Sequence, residues 1–222
     1  MQTNKTTYYQ LILDQSGSMT TCKNAAIDGF NNQLGSIQSM KAEYPEQNFY
    51  VSLTKFSDEP EHLFIDRAVD ELIKLNEENY TPRGCTALLD AIGECLMRLK
   101  TDKRKEFEED KATAVVVIIT DGFENASKYF SQTSISRLIA DLSATDVFSI
   151  SFIGATIESI QQAENIGIQR NDIVHFDCDA IEEPLEKLSA SFNCYAAAKR
   201  QGRKTKHLFA VKDTIARSDQ KS

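Results

Sequence analysis

The chain has no tryptophan, four prolines, nine glycines and three histidines among its 222 residues. With proline and glycine this sparse, and no low-complexity tract or repeat period, composition gives disorder no basis outside the ends. The five cysteines, at 22, 85, 95, 178 and 194, are an odd number with no Cys-x-x-Cys pair. That pattern speaks against a disulfide framework and against a zinc site, and favours reduced thiols. No apolar run approaches the roughly 20 residues that span a bilayer. The opening stretch "MQTNKTTYYQ" also lacks the apolar core of a signal peptide, so the expected setting is cytoplasmic, away from membranes. A basic face is missing from most of the chain. Residues 199–222 hold eight Lys/Arg against two acids, which leaves 17 against 31 in residues 1–198. An acidic body of this kind argues against a nucleic-acid-binding core, which needs cations to neutralise phosphates.

What is present is an alternation. "YYQLIL" (8–13) and "ATAVVVIIT" (112–120) are almost purely apolar, as strands in the middle of a parallel sheet are. Further strand patterns lie at 48–56, 62–65, 147–154 and 172–177, the short 62–65 segment suiting an edge. Helical patterns fall between them at 24–44, 86–100, 134–145, 157–167 and 180–199. The expected fold is α/β, a doubly wound, mostly parallel open sheet of about six strands flanked by helices. One domain over 1–200 accommodates it, followed by a basic tail at 201–222. The tail is read as cations finishing the last helix and then fraying. Attraction to an acidic partner, to nucleic acid or to the protein's own body is the alternative. The run "KRKEFEED" (103–110) reads as a solvated surface.

In such a sheet ligands gather beyond the carboxyl ends of the strands, where the strand order reverses. The segment "LILDQSGSMT" places Asp14, Ser16 and Ser18 just there, with Gly17 allowing a tight turn. A second loop, "TPRGCTALLD", puts Thr86 before a helix, and a third, "IITDGFEN", puts Asp121 after the second apolar strand. Three hydroxyls and two carboxylates are hard oxygen donors that suit Mg²⁺ or Mn²⁺. An ion bound directly by hydroxyls keeps excess positive charge and seeks one more anionic oxygen, such as an Asp or Glu of a partner protein. These residues resemble the metal-ion-dependent adhesion site of von Willebrand factor type A domains, and all five positions match. The resemblance implies that Ser16 and Ser18 ligate the metal, that Thr86 does so directly or through water, and that Asp14 and Asp121 hold coordinating waters. It also implies a doubly wound fold over about residues 6–200, a binding role without catalysis, a last helix able to shift, and a place in a larger multiprotein assembly.

Other readings of the same residues remain. Asp14, Ser16 and Ser18 could simply cap the following helix, although that leaves Thr86 and Asp121 unexplained. A flavodoxin-like phosphate cradle at "SGSMT" would set Asp14 against the phosphate. A Mg²⁺-dependent hydrolase or phosphate-handling enzyme would need an acid or base near the metal, and Glu124 and His175 are the candidates. A serine nucleophile would need a base too, and the Gly-x-Ser-x-Gly elbow is missing because Asp14 takes the place of its first glycine. Cys22 and Cys85 both fall on loops at the metal face, where oxidation could lock the site, whereas Cys95 reads as core.

Overall fold

The computed structural model describes residues 6–176, 182–203 and 205–209. Six strands form one sheet: β1 (Thr6–Asp14), β2 (Asn48–Phe56), β3 (Pro60–Ala68), β4 (Ala112–Thr120), β5 (Phe148–Gly154) and β6 (Ile173–His175). Their order is β3-β2-β1-β4-β5-β6. Neighbours run parallel except β2 and β3. Only three residues separate β2 from β3, too few for a crossover, so that pair must be antiparallel. Pairing with β2 also extends the edge strand well beyond the apolar 62–65 segment.

The helices are α1 (Lys23–Glu43), α2 (Leu88–Asp102), α3 (Arg104–Glu108), α4 (Gln132–Ser143), α5 (Ile157–Asn165) and α6 (Glu182–Arg200). Successive side chains of a strand point to opposite faces, so the central strands feed two cores. Tyr9, Leu11 and Leu13 of β1 join α1 and α6 on one face, while Tyr8 and Ile12 join α2, α4 and α5 on the other. Cover on both sides is why β4 is buried at all nine positions and reads as one apolar run. Each large side chain so buried contributes about 1.5–3 kcal/mol. The 103–110 run stays at the surface, with no residue of α3 buried. It is tied to the body by the Tyr8 phenol, which donates to Glu106, and by Phe107, which meets the Phe148 ring edge-on with centroids 5.1 Å apart.

After β2 and β3 the chain returns to the opposite side of β1 to lay down β4. The strand order therefore reverses between β1 and β4, and the crevice at that reversal opens beyond Asp14 and Thr120. Past α6 the chain stays on the body for several residues. Ser149 Oγ donates to the Thr205 carbonyl at 3.1 Å, Lys206 pairs with Asp146, and Leu208 is buried. Residues 210–222 lie outside the described residues, and among those described no helix is long and apolar enough to cross a membrane.

The helices α1 and α6 touch at Gly29, where an added Cβ would fall 1.8 Å from Leu185 Cδ1. A methyl there gains up to about 1 kcal/mol in helix propensity, but displacing the buried Leu185 costs about 1–3 kcal/mol. Gly29→Ala is expected to lower the urea midpoint without changing the slope, a net loss of about 1 kcal/mol. An unchanged or higher midpoint would mean that α6 can move aside freely.

Candidate metal centre

Asp14 ends β1 with 0% exposure. Its Oδ1 accepts the Ser16 amide at 2.6 Å, its Oδ2 accepts the Thr120 hydroxyl, and its carbonyl accepts the Tyr80 phenol at 2.6 Å. Burial pushes the carboxyl up to about 6, against the hydrogen bonds from Thr120 and Ser16 that lower it, and the Asp121 charge adds to the rise. From Asp14 the hydroxyls run on to the second acid. Ser16 Oγ and Ser18 Oγ are 3.1 Å apart, and Ser18 Oγ donates to Asp121 Oδ1 at 2.7 Å. Burial raises the pKa of Asp121 as well, with the Ser18 hydrogen bond opposing it.

Capping does not account for these side chains. Residue 16 stands at the start of a short 3₁₀ turn and makes no side-chain cap bond, and Cys22, the N-cap of α1, makes none either. The Ser16 and Ser18 hydroxyls are instead engaged with each other and with Asp121.

The second loop reaches the site through Gly84, whose φ of +73° only glycine adopts without strain. Its carbonyl accepts the Gly17 amide at 3.1 Å, which ties the first two loops together. Behind it, Asp58 Oδ1 accepts the Cys85 amide at 2.9 Å. Thr86 donates its amide to Asn125 Oδ1 at 2.8 Å and accepts the Asn125 amide on its carbonyl. Gly122 closes the ring. A Cβ added there would lie 3.0 Å from Thr86 Oγ1 and 3.3 Å from Asp14 Oδ2, so both oxygens face the space that only a glycine leaves open. Asp14, Ser16, Ser18, Thr86 and Asp121 thus converge from three loops. Among the described residues no group of three or more His, Cys, Asp or Glu could hold a metal, so a metal at this place relies on hydroxyls. Hydroxyls and carboxylates in this proportion fit a hard cation such as Mg²⁺ or Mn²⁺.

Asp90, unassigned from the sequence, and Glu124, expected there as a candidate acid or base beside the metal, hold the third loop on α2. Asp90 is buried and accepts three backbone amides, from Lys128 at 2.7 Å, Tyr129 at 3.0 Å and Phe130 at 2.8 Å. An acid directly after the apolar "ALL" in "TALLDAIGECL" was the available signal. Glu124 accepts the Leu89 amide at 2.8 Å and the Ser127 hydroxyl at 2.7 Å through Oε2, and the Ala126 and Ser127 amides through Oε1. It therefore caps the start of α2, where the helix dipole favours a carboxylate. His175 is exposed on the outermost strand β6, separated from β1 by β5 and β4. Cysteine pairing also departs from expectation. Cys85 is exposed and free, as are Cys95 and Cys194, whereas Cys22 is buried and disulfide-bonded, its partner outside the described residues. The expectation of reduced thiols is therefore not met at Cys22.

Because the folded pKa of Asp14 lies above its ordinary value, the stability linked to this group is fully present below about pH 4 and is lost as pH rises through about 6. Asp14→Asn is expected to stabilise the metal-free protein by about 1–3 kcal/mol at pH 7. The gain should vanish near pH 4 in thermal melts run with chelator. A variant less stable than wild type at pH 7 would mean that the hydrogen bonds to the carboxylate outweigh its desolvation.

No family model matches the sequence, and no curated protein matches it. Solved structures share its fold. The von Willebrand factor type A protein from Catenulispora acidiphila is 13% identical with a TM-score of 0.59, over 84% of this chain and 42% of that one. Proximal thread matrix protein 1 from the mussel byssus, with a zinc-occupied adhesion motif, is 18% identical with a TM-score of 0.52, over 86% and 46%. The manganese-loaded TRAP protein of Plasmodium vivax is 18% identical with a TM-score of 0.54, over 83% and 72%. The chain spans less than half the length of the first two. At these identities the likeness is one of architecture: the six-stranded, helix-flanked sheet described above has the fold of von Willebrand factor type A domains.

Proposed function

We propose that the chain is a metal-dependent protein-binding module. Asp14, Ser16, Ser18, Thr86 and Asp121 hold Mg²⁺, or Mn²⁺ in its place, and the ion engages an Asp or Glu of a partner protein. The observation that carries this reading is that Thr86 Oγ1 and Asp14 Oδ2 face the space left by Gly122 while the Ser16, Ser18 and Asp121 side chains form one hydrogen-bonded chain beside them. A hydroxyl that donates its proton to a carboxylate, as Ser18 does to Asp121, keeps oxygen lone pairs free for a cation. Both oxygens of Asp14 already accept hydrogen bonds, which suits that acid to holding a coordinating water. The bound ion supplies a positive centre that neutral hydroxyls leave only partly compensated, and a carboxylate completes it.

The surroundings support a protein partner. Phe123, two residues past Asp121, is 54% exposed, and Ile157 is 70% exposed. Ile157 follows Thr156, whose hydroxyl donates to the Asp121 carbonyl. Large apolar side chains left in water beside a charged centre mark docking surfaces. A binding role is favoured over hydrolysis by the placement of the histidines. His62 is engaged with Thr54 and Glu94, His207 with Asp172, and His175 sits on the outer strand. The zinc and manganese reported for two structural neighbours are consistent with a divalent cation here.

Titration of Mn²⁺ to millimolar concentration, followed by water-proton relaxation, is expected to reveal saturable binding by the wild-type protein. Asp14→Ala and Asp121→Ala should bind at least about tenfold more weakly while keeping the wild-type circular dichroism. Equal binding by all three folded proteins would refute the site.

A further inference from the structure

A second cavity, of about 130 Å³, lies away from the metal loops, against the amino-terminal half of β5. Its walls come from the end of α4, the segment leading into β6 and the stretch that follows α6. Buried Ile150 and Ile168 give it an apolar side. Asp172, only 5% exposed, lines the same cavity. Its Oδ2 is bonded to His207 Nδ1 at 2.6 Å and the Leu208 amide also acts on the carboxylate, but its buried Oδ1 has no hydrogen-bond partner among the described residues. A buried carboxylate oxygen without a donor is costly and calls for one.

The polar groups of the cavity specify what kind of donor. Lys206 is paired with Asp146 at 3.2 Å, and the Nδ1 of His207 is taken by Asp172, so the cations at the rim are already committed. Ser143 and Gln169 also line the cavity, and neither side chain makes a hydrogen bond to another described residue. Together with Asp172 Oδ1 they offer three oxygen acceptors, while the carboxylate repels an anion. An ammonium group has three N–H donors and no acceptor. We propose that this cavity binds a primary alkylammonium group, its nitrogen on Asp172 Oδ1, Ser143 and Gln169 and its methylenes against Ile150 and Ile168. The volume equals roughly four water molecules at about 30 Å³ each, which admits a short alkyl chain and excludes a large ligand. A free amine and the lysine side chain of a peptide share this chemistry.

The test is an amide NMR titration of the full chain in chelator, so that its outcome is independent of the metal site. n-Butylammonium chloride is expected to shift the amides of Gly167, Ile168, Asp172 and His207 saturably. Tetramethylammonium chloride, with the same charge and no N–H, should not. Ile150→Phe fills the cavity from the core and Ser143→Leu fills it from the half-buried end of α4, and each should weaken binding by at least about tenfold. Nα-acetyl-lysine methylamide reproducing the shifts would identify a lysine side chain as the source, and a response to butylammonium alone would identify a free amine. No saturable shift, equal shifts with tetramethylammonium, or undiminished binding by both variants with a wild-type fold would overturn the proposal.

Discussion

A carboxylate sealed from water at the end of a central strand is expensive, and Asp14 occupies that position with its charge in the least exposed part of the sheet. The Ser16 amide, the Thr120 hydroxyl and, through its carbonyl, the Tyr80 phenol are arranged around it. They draw β1, β4 and the segment before Thr86 to one point. Those bonds do not remove the cost of burial, which still holds the carboxyl up at about 6, an electrostatic deficit that the proposed cation would relieve. Stability given up locally in this way is a common mark of a binding site.

The loops around Asp14 are held by rigid contacts. Asp90 takes three amides of the third loop, Glu124 returns the same loop to the first turn of α2, and the amide and carbonyl of Thr86 are both bonded to Asn125. Charge-assisted hydrogen bonds to backbone amides contribute about 1.5–3 kcal/mol each, far more than an exposed ion pair such as Lys128 with Glu59. The loops that carry the hydroxyls are therefore held by the fold itself, which would lower the ordering cost of binding the proposed ion. Gly84 and Gly122 serve the same end, the first by a backbone angle and the second by the absence of a Cβ.

The basic tail illustrates how composition and contact diverge. Its excess of cations suggested a fraying end, yet Leu208 is buried and Lys206 and His207 find acids at 146 and 172. Local charge describes how a segment meets water. One apolar residue within reach of the sheet edge describes where it settles.

From the sequence alone, the period of the apolar residues determined the alternation of strand and helix, the two fully apolar central strands and hence a parallel sheet covered on both faces. The same reading placed the five oxygen-bearing side chains after the strands and before the helix where such a sheet gathers ligands. These are local properties, fixed by spacing and residue type. The tertiary structure alone decided that Thr86 and Asp14 face the same space, that Glu124 caps α2, that Asp90 staples a loop, that His175 stands on the far edge, and that Cys22 is paired. Each of these depends on distances between residues tens of positions apart, and a one-dimensional pattern carries no measure of such distances until the sheet order is known.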